Sequence, residues 1–124
     1  MAVFPKVVAL NFVLTFFLLN HANASEEIPA GDISLKDVPL FVEKARCIAC
    51  HGLEEFRVGP PWKAISAMYS GRDRSAESLI NYLAYKIRYG GAGVWGVTPM
   101  IEYEGITQEQ AKIIAEWILR LEKK

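Results

Sequence analysis

The stretch Cys47-Ile48-Ala49-Cys50-His51 is the segment around which the rest of this 124-residue chain is expected to fold. It is a C-x-x-C-H pattern, which is typical of covalent haem attachment. On the turn that this spacing favours, both sulfurs point the same way and can reach the two vinyl groups of one porphyrin. Imidazole is a good ligand for iron, and the histidine follows the second cysteine directly. The motif therefore predicts one haem c, held by two thioether bonds at Cys47 and Cys50, with His51 as an iron ligand.

Three other sites could use the same cysteines. A structural zinc site needs four ligands, whereas the chain has two cysteines and two histidines, and His21 lies in a predicted leader. A thioredoxin-like dithiol is expected within a strand-helix-strand pattern, which the sequence does not show. A disulfide across two intervening residues would be strained. Haem attachment is the interpretation that the adjacent histidine favours.

The first residues have the pattern of a secretory signal peptide. Lys6 precedes an apolar run over residues 7–19, and Ala22-Asn23-Ala24 matches an A-x-A cleavage site. The run is shorter than the ~20 residues that span a membrane, so an uncleaved anchor is the less favoured alternative. We therefore expect a cleaved signal peptide over residues 1–24 and one domain over residues 25–124. The mature protein is expected in the periplasm and not to span the membrane.

Charge is close to balanced along the chain. There are 14 basic and 14 acidic residues, and loss of Lys6 with the leader leaves 13 basic residues. A nucleic-acid partner is not expected, because nothing in this balance provides a basic surface. A domain of this size has a modest apolar core, and a porphyrin would supply part of the missing interior.

Apolar periodicity predicts an all-α domain of about four helices joined by long loops around the haem. Capping residues mark where the helices begin, and glycines mark where one of them ends. Ser34 and Asp37 precede a first helix that runs into Cys47, and residues 62–69 form a short second helix. Ser75 precedes a third helix that ends at Gly90 and Gly91. A Thr107–Gln110 capping box precedes the last helix, whose apolar face consists of Ala111, Ile114, Ile118 and Leu121.

The segment from Gly90 to Met100 differs from the helices, because four glycines surround a single aromatic residue, Trp95. A backbone with so few side chains can approach a flat ligand closely. The Trp95 indole N–H needs a partner if it is buried, and a haem propionate is a candidate. The alternative is that Trp95 only fills the core.

The second axial ligand of the iron determines the class of function. The predicted mature chain has no second histidine, which leaves Met68 and Met100. Methionine sulfur favours the ferrous state and raises the potential. Met68 lies in a predicted helix, where methionine commonly fills gaps in the core. Met100 follows Pro99 at the end of the glycine segment, so we favour Met100 as the ligand opposite His51.

These motifs together resemble the small bacterial class I cytochromes c of the cytochrome c-551/c-552 type. The resemblance covers about residues 35–124. It rests on four segments in the family's order: Cys47-Ile48-Ala49-Cys50-His51, Val58-Gly59-Pro60-Pro61, Gly93-Val94-Trp95-Gly96-Val97-Thr98-Pro99-Met100 and Ala115-Glu116-Trp117-Ile118-Leu119.

The resemblance implies a class I cytochrome c fold in which the first and last helices cross. It also implies that the carbonyl of Pro60 accepts a hydrogen bond from the ligand histidine, a contact that fixes the ring and tunes the iron. Trp95 and Lys86 match residues that bind a haem propionate, with Arg88 as a nearby substitute for Lys86. Lys86 could instead be an ordinary solvated helix charge.

The chain departs from the family at two places. Residues 101–104 are Ile-Glu-Tyr-Glu, where many relatives have consecutive prolines and an asparagine whose side chain bonds near the methionine sulfur. Arg46 precedes Cys47, where relatives often have glycine. Neither change removes a haem ligand.

We expect a soluble one-electron carrier rather than an enzyme, exchanging electrons with periplasmic reductases, oxidases or membrane respiratory complexes. The resemblance leaves two alternatives. One is the haem c subunit of a larger periplasmic oxidoreductase. The other is a gas or redox sensor, which would require a labile sixth ligand.

Overall fold

A computed structural model describes residues 36–123, so the predicted signal peptide and Ser34 lie outside it. The described chain contains four α-helices and no strand, only two isolated β-bridges, which confirms the predicted all-α fold. No helix among these residues is both long enough and apolar enough to cross a membrane. The helices are α1 (Val38–Lys44), α2 (Trp62–Ser70), α3 (Ala76–Tyr89) and α4 (Gln108–Arg120), with short 3₁₀ helices at Cys47–Ala49 and Leu121–Lys123.

The ends of α3 and α4 follow local capping chemistry. The hydroxyl of Ser75 accepts a hydrogen bond from the Ser78 backbone N–H at 3.2 Å, which confirms the predicted N-cap of α3. Thr107 and Gln110 exchange both hydrogen bonds of a capping box at the start of α4. Gly90 ends α3 at φ 70° and ψ −158°, a conformation that is almost confined to glycine.

The first helix differs from its prediction. Asp37 is its N-cap, but α1 ends at Lys44 and does not run into the cysteine motif. Arg46 has a φ of 58° and a ψ of 16°, which is the left-handed conformation. A residue in this conformation cannot continue a right-handed helix, and for a non-glycine residue it costs about 1–2 kcal/mol. The motif therefore begins a separate 3₁₀ helix.

The last helix organises the core, because α4 contacts α1, α2 and α3. Its apolar face packs as predicted, and Ile114 and Ile118 are among the most completely buried side chains. Ser66 on α2 is also fully buried, and its hydroxyl accepts a hydrogen bond from the Glu122 backbone N–H at 3.2 Å. The helices thus form a scaffold for two long connections, residues 45–61 and 90–107, which carry the cysteine motif, Pro60, Trp95 and Met100.

Candidate haem site

The cysteine motif forms a tight turn closed by its own backbone. The N–H groups of Cys50 and His51 both donate to the carbonyl of Cys47, at 3.2 and 3.0 Å. Cys47 is half-buried and Cys50 is exposed, and both thiols are free rather than joined in a disulfide. Burial raises the pKa of Cys47 and so keeps its thiol protonated. The guanidinium of Arg57 donates to the Ile48 carbonyl in the middle of the motif and holds the turn from outside.

His51 is buried, with 6% of its surface exposed, and one ring nitrogen is already engaged. Its Nδ1 lies 2.7 Å from the carbonyl oxygen of Pro60, so the contact expected from the resemblance is present. A carbonyl can only accept, which assigns the proton to Nδ1 and leaves the Nε2 lone pair free for a metal. Burial lowers the pKa of His51, and the bond to Pro60 opposes that shift only in part. The imidazole is therefore held neutral, as a metal ligand must be.

Two further residues define the surroundings of the imidazole. A Cβ on Gly59 would lie 2.6 Å from the His51 Cε1 atom, so only glycine fits there without displacing the ring. The Trp62 indole stacks on the imidazole, with ring centroids 4.6 Å apart and planes inclined by 28°. Trp117 of α4 meets Trp62 edge-on at 5.7 Å. Neither the Gly59 nor the Trp62 contact with His51 was predicted from the sequence, although an aromatic residue directly after Gly-Pro-Pro was a visible signal for the second.

Met100 is tied to the end of α3 by the glycine segment. Gly91 and Met100 form an isolated β-bridge with hydrogen bonds of 3.0 and 2.8 Å. A Cβ on Gly90 would collide with the Met100 carbonyl oxygen, so the backbone beside this bridge has room only for glycine at that position. The Met100 side chain is 37% exposed, whereas Met68 packs against the apolar core. Packing was the role expected for Met68.

The other predicted residues lie on the glycine segment or in the last turn of α3. Trp95 is 38% exposed and therefore does not fill the core. Lys86 is half-buried, and its Nζ would lie 2.7 Å from a Cβ on Gly91, which places the ammonium group against the start of the glycine segment. Lys86 has no ion pair with any residue in the described range. The Nε of Arg88 is buried without a hydrogen-bond partner among these residues.

The chemistry of this region fits a porphyrin. One neutral imidazole nitrogen, one thioether and two free thiols form a suitable donor set for covalent haem and its iron. Cationic groups at Lys86 and Arg88 are suited to carboxylates. Several apolar side chains in the connections over residues 45–61 and 90–107 are exposed and are suited to covering a flat apolar ring, among them Ile48, Leu53, Val58, Val94, Val97 and Met100.

Comparison with known proteins agrees with this chemistry. Residues 39–122 match the sequence model of the family described as Cytochrome c. The chain belongs to the cytochrome c family. It is 44% identical over 81 residues to cytochrome c-552 of Nitrosomonas europaea, an alignment that covers 65% of this chain and 75% of that protein. It is 41% identical over 75 residues to cytochrome c-552 of Hydrogenobacter thermophilus, covering 60% and 71% of the two chains.

Solved cytochrome structures have the same fold. The crystal structure of wild-type Nitrosomonas europaea cytochrome c552 superposes with a TM-score of 0.60 at 41% identity, covering 69% of this chain and 98% of that one. The class 1 cytochrome MtoD from Sideroxydans lithotrophicus superposes with a TM-score of 0.57 at 19% identity, covering 73% and 98%. The second match supports the fold alone. Together they confirm the class I cytochrome c fold predicted from the sequence.

Membership of the cytochrome c family confirms three expectations. The cofactor is covalent haem c, the protein transfers electrons, and it is a carrier rather than an enzyme. Its partners are therefore other redox proteins.

Proposed function

We propose that this cytochrome is a periplasmic one-electron carrier whose haem is attached at Cys47 and Cys50 and ligated by His51 and Met100. The observation that carries the proposal is the 2.7 Å contact between His51 Nδ1 and the Pro60 carbonyl. It assigns the tautomer, orients the ring and leaves Nε2 as the donor atom. When bound, the haem supplies a reversible one-electron couple at iron.

The two proposed ligands are held by different means. His51 is buried and contacted by Pro60, Gly59 and Trp62, whereas Met100 is fixed through its backbone bridge to Gly91. If His51 and Met100 both held the iron, a bound haem would have no free coordination position for a substrate. Electron transfer therefore suits this arrangement better than gas binding.

Two side chains support a site for the haem propionates. Trp95 carries an indole N–H in the partly exposed glycine segment, and the Lys86 ammonium lies against the start of that segment. We propose that both bind propionate oxygens, since a carboxylate near Lys86 would form a charge-assisted hydrogen bond. Arg88 is the second candidate cation, because its buried Nε lacks a partner among the described residues.

Location and processing follow from the leader. We propose cleavage after Ala24, which releases residues 25–124 into the periplasm. Intact mass measurement on the periplasmic fraction tests both points. A mass equal to residues 25–124 plus one haem is expected, and a mass that retains residues 1–24 would contradict the cleavage.

Absorption spectra of matched variants test the axial ligands. The oxidised wild-type protein is expected to show the weak far-red band of iron–methionine ligation, and its haem should remain on the chain in denaturing electrophoresis. Met100→Leu should abolish the band, whereas Met68→Leu should keep it, because the Met68 side chain packs in the core. Loss of the band in Met68→Leu alone would reverse the assignment. A His51→Ala protein with normal spectra would refute His51 as a ligand.

A further inference from the structure

The ring of Trp62 stacks on that of the candidate ligand histidine, and both rings are withdrawn from solvent. The centroids lie 4.6 Å apart at 28°, with Trp62 5% exposed. This is a near-parallel stack, one of the favoured geometries for two π-systems. Trp62 is the first residue of α2, and its ring forms an edge-to-face pair with Trp117 of α4, with the ring centroids 5.7 Å apart. The indole is therefore anchored on two helices of the core.

The contacts of His51 constrain its ring in different ways. The imidazole turns about its Cβ–Cγ bond, and the Nδ1 hydrogen bond to Pro60 fixes the tautomer and restrains that rotation at one edge of the ring. Gly59 borders the Cε1 edge. The flat face of Trp62 restrains the same rotation, because turning the imidazole would drive its edge into the indole. Pro60 at the edge and Trp62 at the face thus hold the plane of the imidazole together.

We propose that Trp62 is a positioning residue for the iron ligand: by stacking on the His51 imidazole it keeps the ring in the plane that the Pro60 hydrogen bond favours, and it keeps water from that face. The inference rests on the proposed ligation of iron by His51. Outer contacts of this kind orient metal ligands, and an apolar shell around a metal site controls its potential by excluding solvent. Loss of the indole should therefore tilt the imidazole and admit water, which stabilises the more highly charged oxidised iron.

Three variants of the holoprotein test this role. Trp62→Leu removes the aromatic face, and Trp62→Phe keeps an aromatic ring at the same position. Tyr69→Leu is the matched control, because Tyr69 is a buried aromatic residue on the same helix whose ring partner is Tyr82 rather than His51. For each protein we would measure the midpoint potential, the hyperfine-shifted proton resonances of the His51 ring in the oxidised state, and the thermal unfolding midpoint.

We expect Trp62→Leu to lower the midpoint potential and to move the His51 resonances. We expect the ratio of oxidised to reduced protein at a fixed potential to change by about tenfold, by analogy with the lower end of the roughly 10–100-fold by which loss of an outer contact changes metal affinity or activity. Trp62→Phe should keep a midpoint potential and His51 resonances near those of the wild type. Tyr69→Leu should lower the thermal unfolding midpoint and leave the midpoint potential and the His51 resonances unchanged. If Trp62→Leu only loses stability, as the control does, Trp62 is a packing residue and the proposal is wrong.

A measurement on the wild type covers the case in which Trp62→Leu does not fold. In the reduced holoprotein, nuclear Overhauser effects between Trp62 indole protons and His51 ring protons are expected from the 4.6 Å stack, and their absence would overturn the proposal. Failure of the ligand assignment is a separate result. It would appear as a wild-type protein in which the His51 ring resonances lack the shifts of an iron-bound imidazole.

Discussion

The substitution Gly90→Ala is expected to loosen Met100 while leaving the helical core intact. Gly90 has a φ of 70° and a ψ of −158°, which costs a non-glycine residue about 1–3 kcal/mol. The new Cβ would also collide with the Met100 carbonyl oxygen and push apart the Gly91–Met100 bridge. Its two hydrogen bonds contribute about 0.5–1.5 kcal/mol each. We therefore expect the free energy of unfolding to fall by about 2–6 kcal/mol.

Denaturant unfolding and the far-red band of the oxidised protein would be measured together, with two control variants. Gly93→Ala shares a positive φ, of 90°, but its Cβ would meet no atom within 4 Å, so it should lose stability and keep the band. Gly71 has a negative φ and open space around an added methyl group, so Gly71→Ala should change neither the free energy of unfolding nor the band by much. Gly90→Ala should lose stability and weaken the band. Equal effects of Gly90→Ala and Gly93→Ala on both readouts would refute the reasoning, because the clash with Met100 would then contribute nothing.

Three further substitutions test other parts of the fold. Arg46→Gly should raise the free energy of unfolding by up to about 1 kcal/mol, measured by denaturant unfolding, since glycine tolerates the left-handed conformation. A lower free energy of unfolding in this variant would contradict a cost at Arg46. Ile114→Ala should lower it by about 2–5 kcal/mol by the same measurement, because the side chain is buried in the core. Burial, followed by the hydrogen bond to Tyr82, raises the pKa of Tyr69 from 10.0 to about 12. Since the unfolded chain ionises first, the wild type should lose stability between those pH values, and Tyr69→Phe should lose less; equal losses would argue against Tyr69 as the source.

Features encoded in neighbouring residues could be predicted from the sequence. Ser75 and the Thr107–Gln110 pair act within one turn of helix, and so they mark the starts of α3 and α4 correctly. The end of α1 could not be predicted in this way. Arginine is a good helix former, and no residue of this chain near Arg46 signals the left-handed backbone that stops the helix before Cys47; the one signal was the glycine that relatives often have at this position.

The site shows the same division between local and distant contacts. The cysteine motif is continuous in sequence and was recognised directly, and the bond from His51 to Pro60 was expected from the resemblance. The stack of Trp62 on His51 depends on how α2 leaves the Gly-Pro-Pro segment, and its support by Trp117 depends on a helix more than 50 residues further along. Periodicity marks such residues only as apolar.

The contacts of α4 have a consequence for timing. Because α4 packs against each of the other three helices, and the buried hydroxyl of Ser66 bonds to the Glu122 backbone beyond α4, the core cannot close until the last residues have been synthesised. Cys47 and Cys50 precede that point by some seventy residues. Before α4 packs, both thiols are therefore borne on an open chain, so the attachment of haem does not require a closed core.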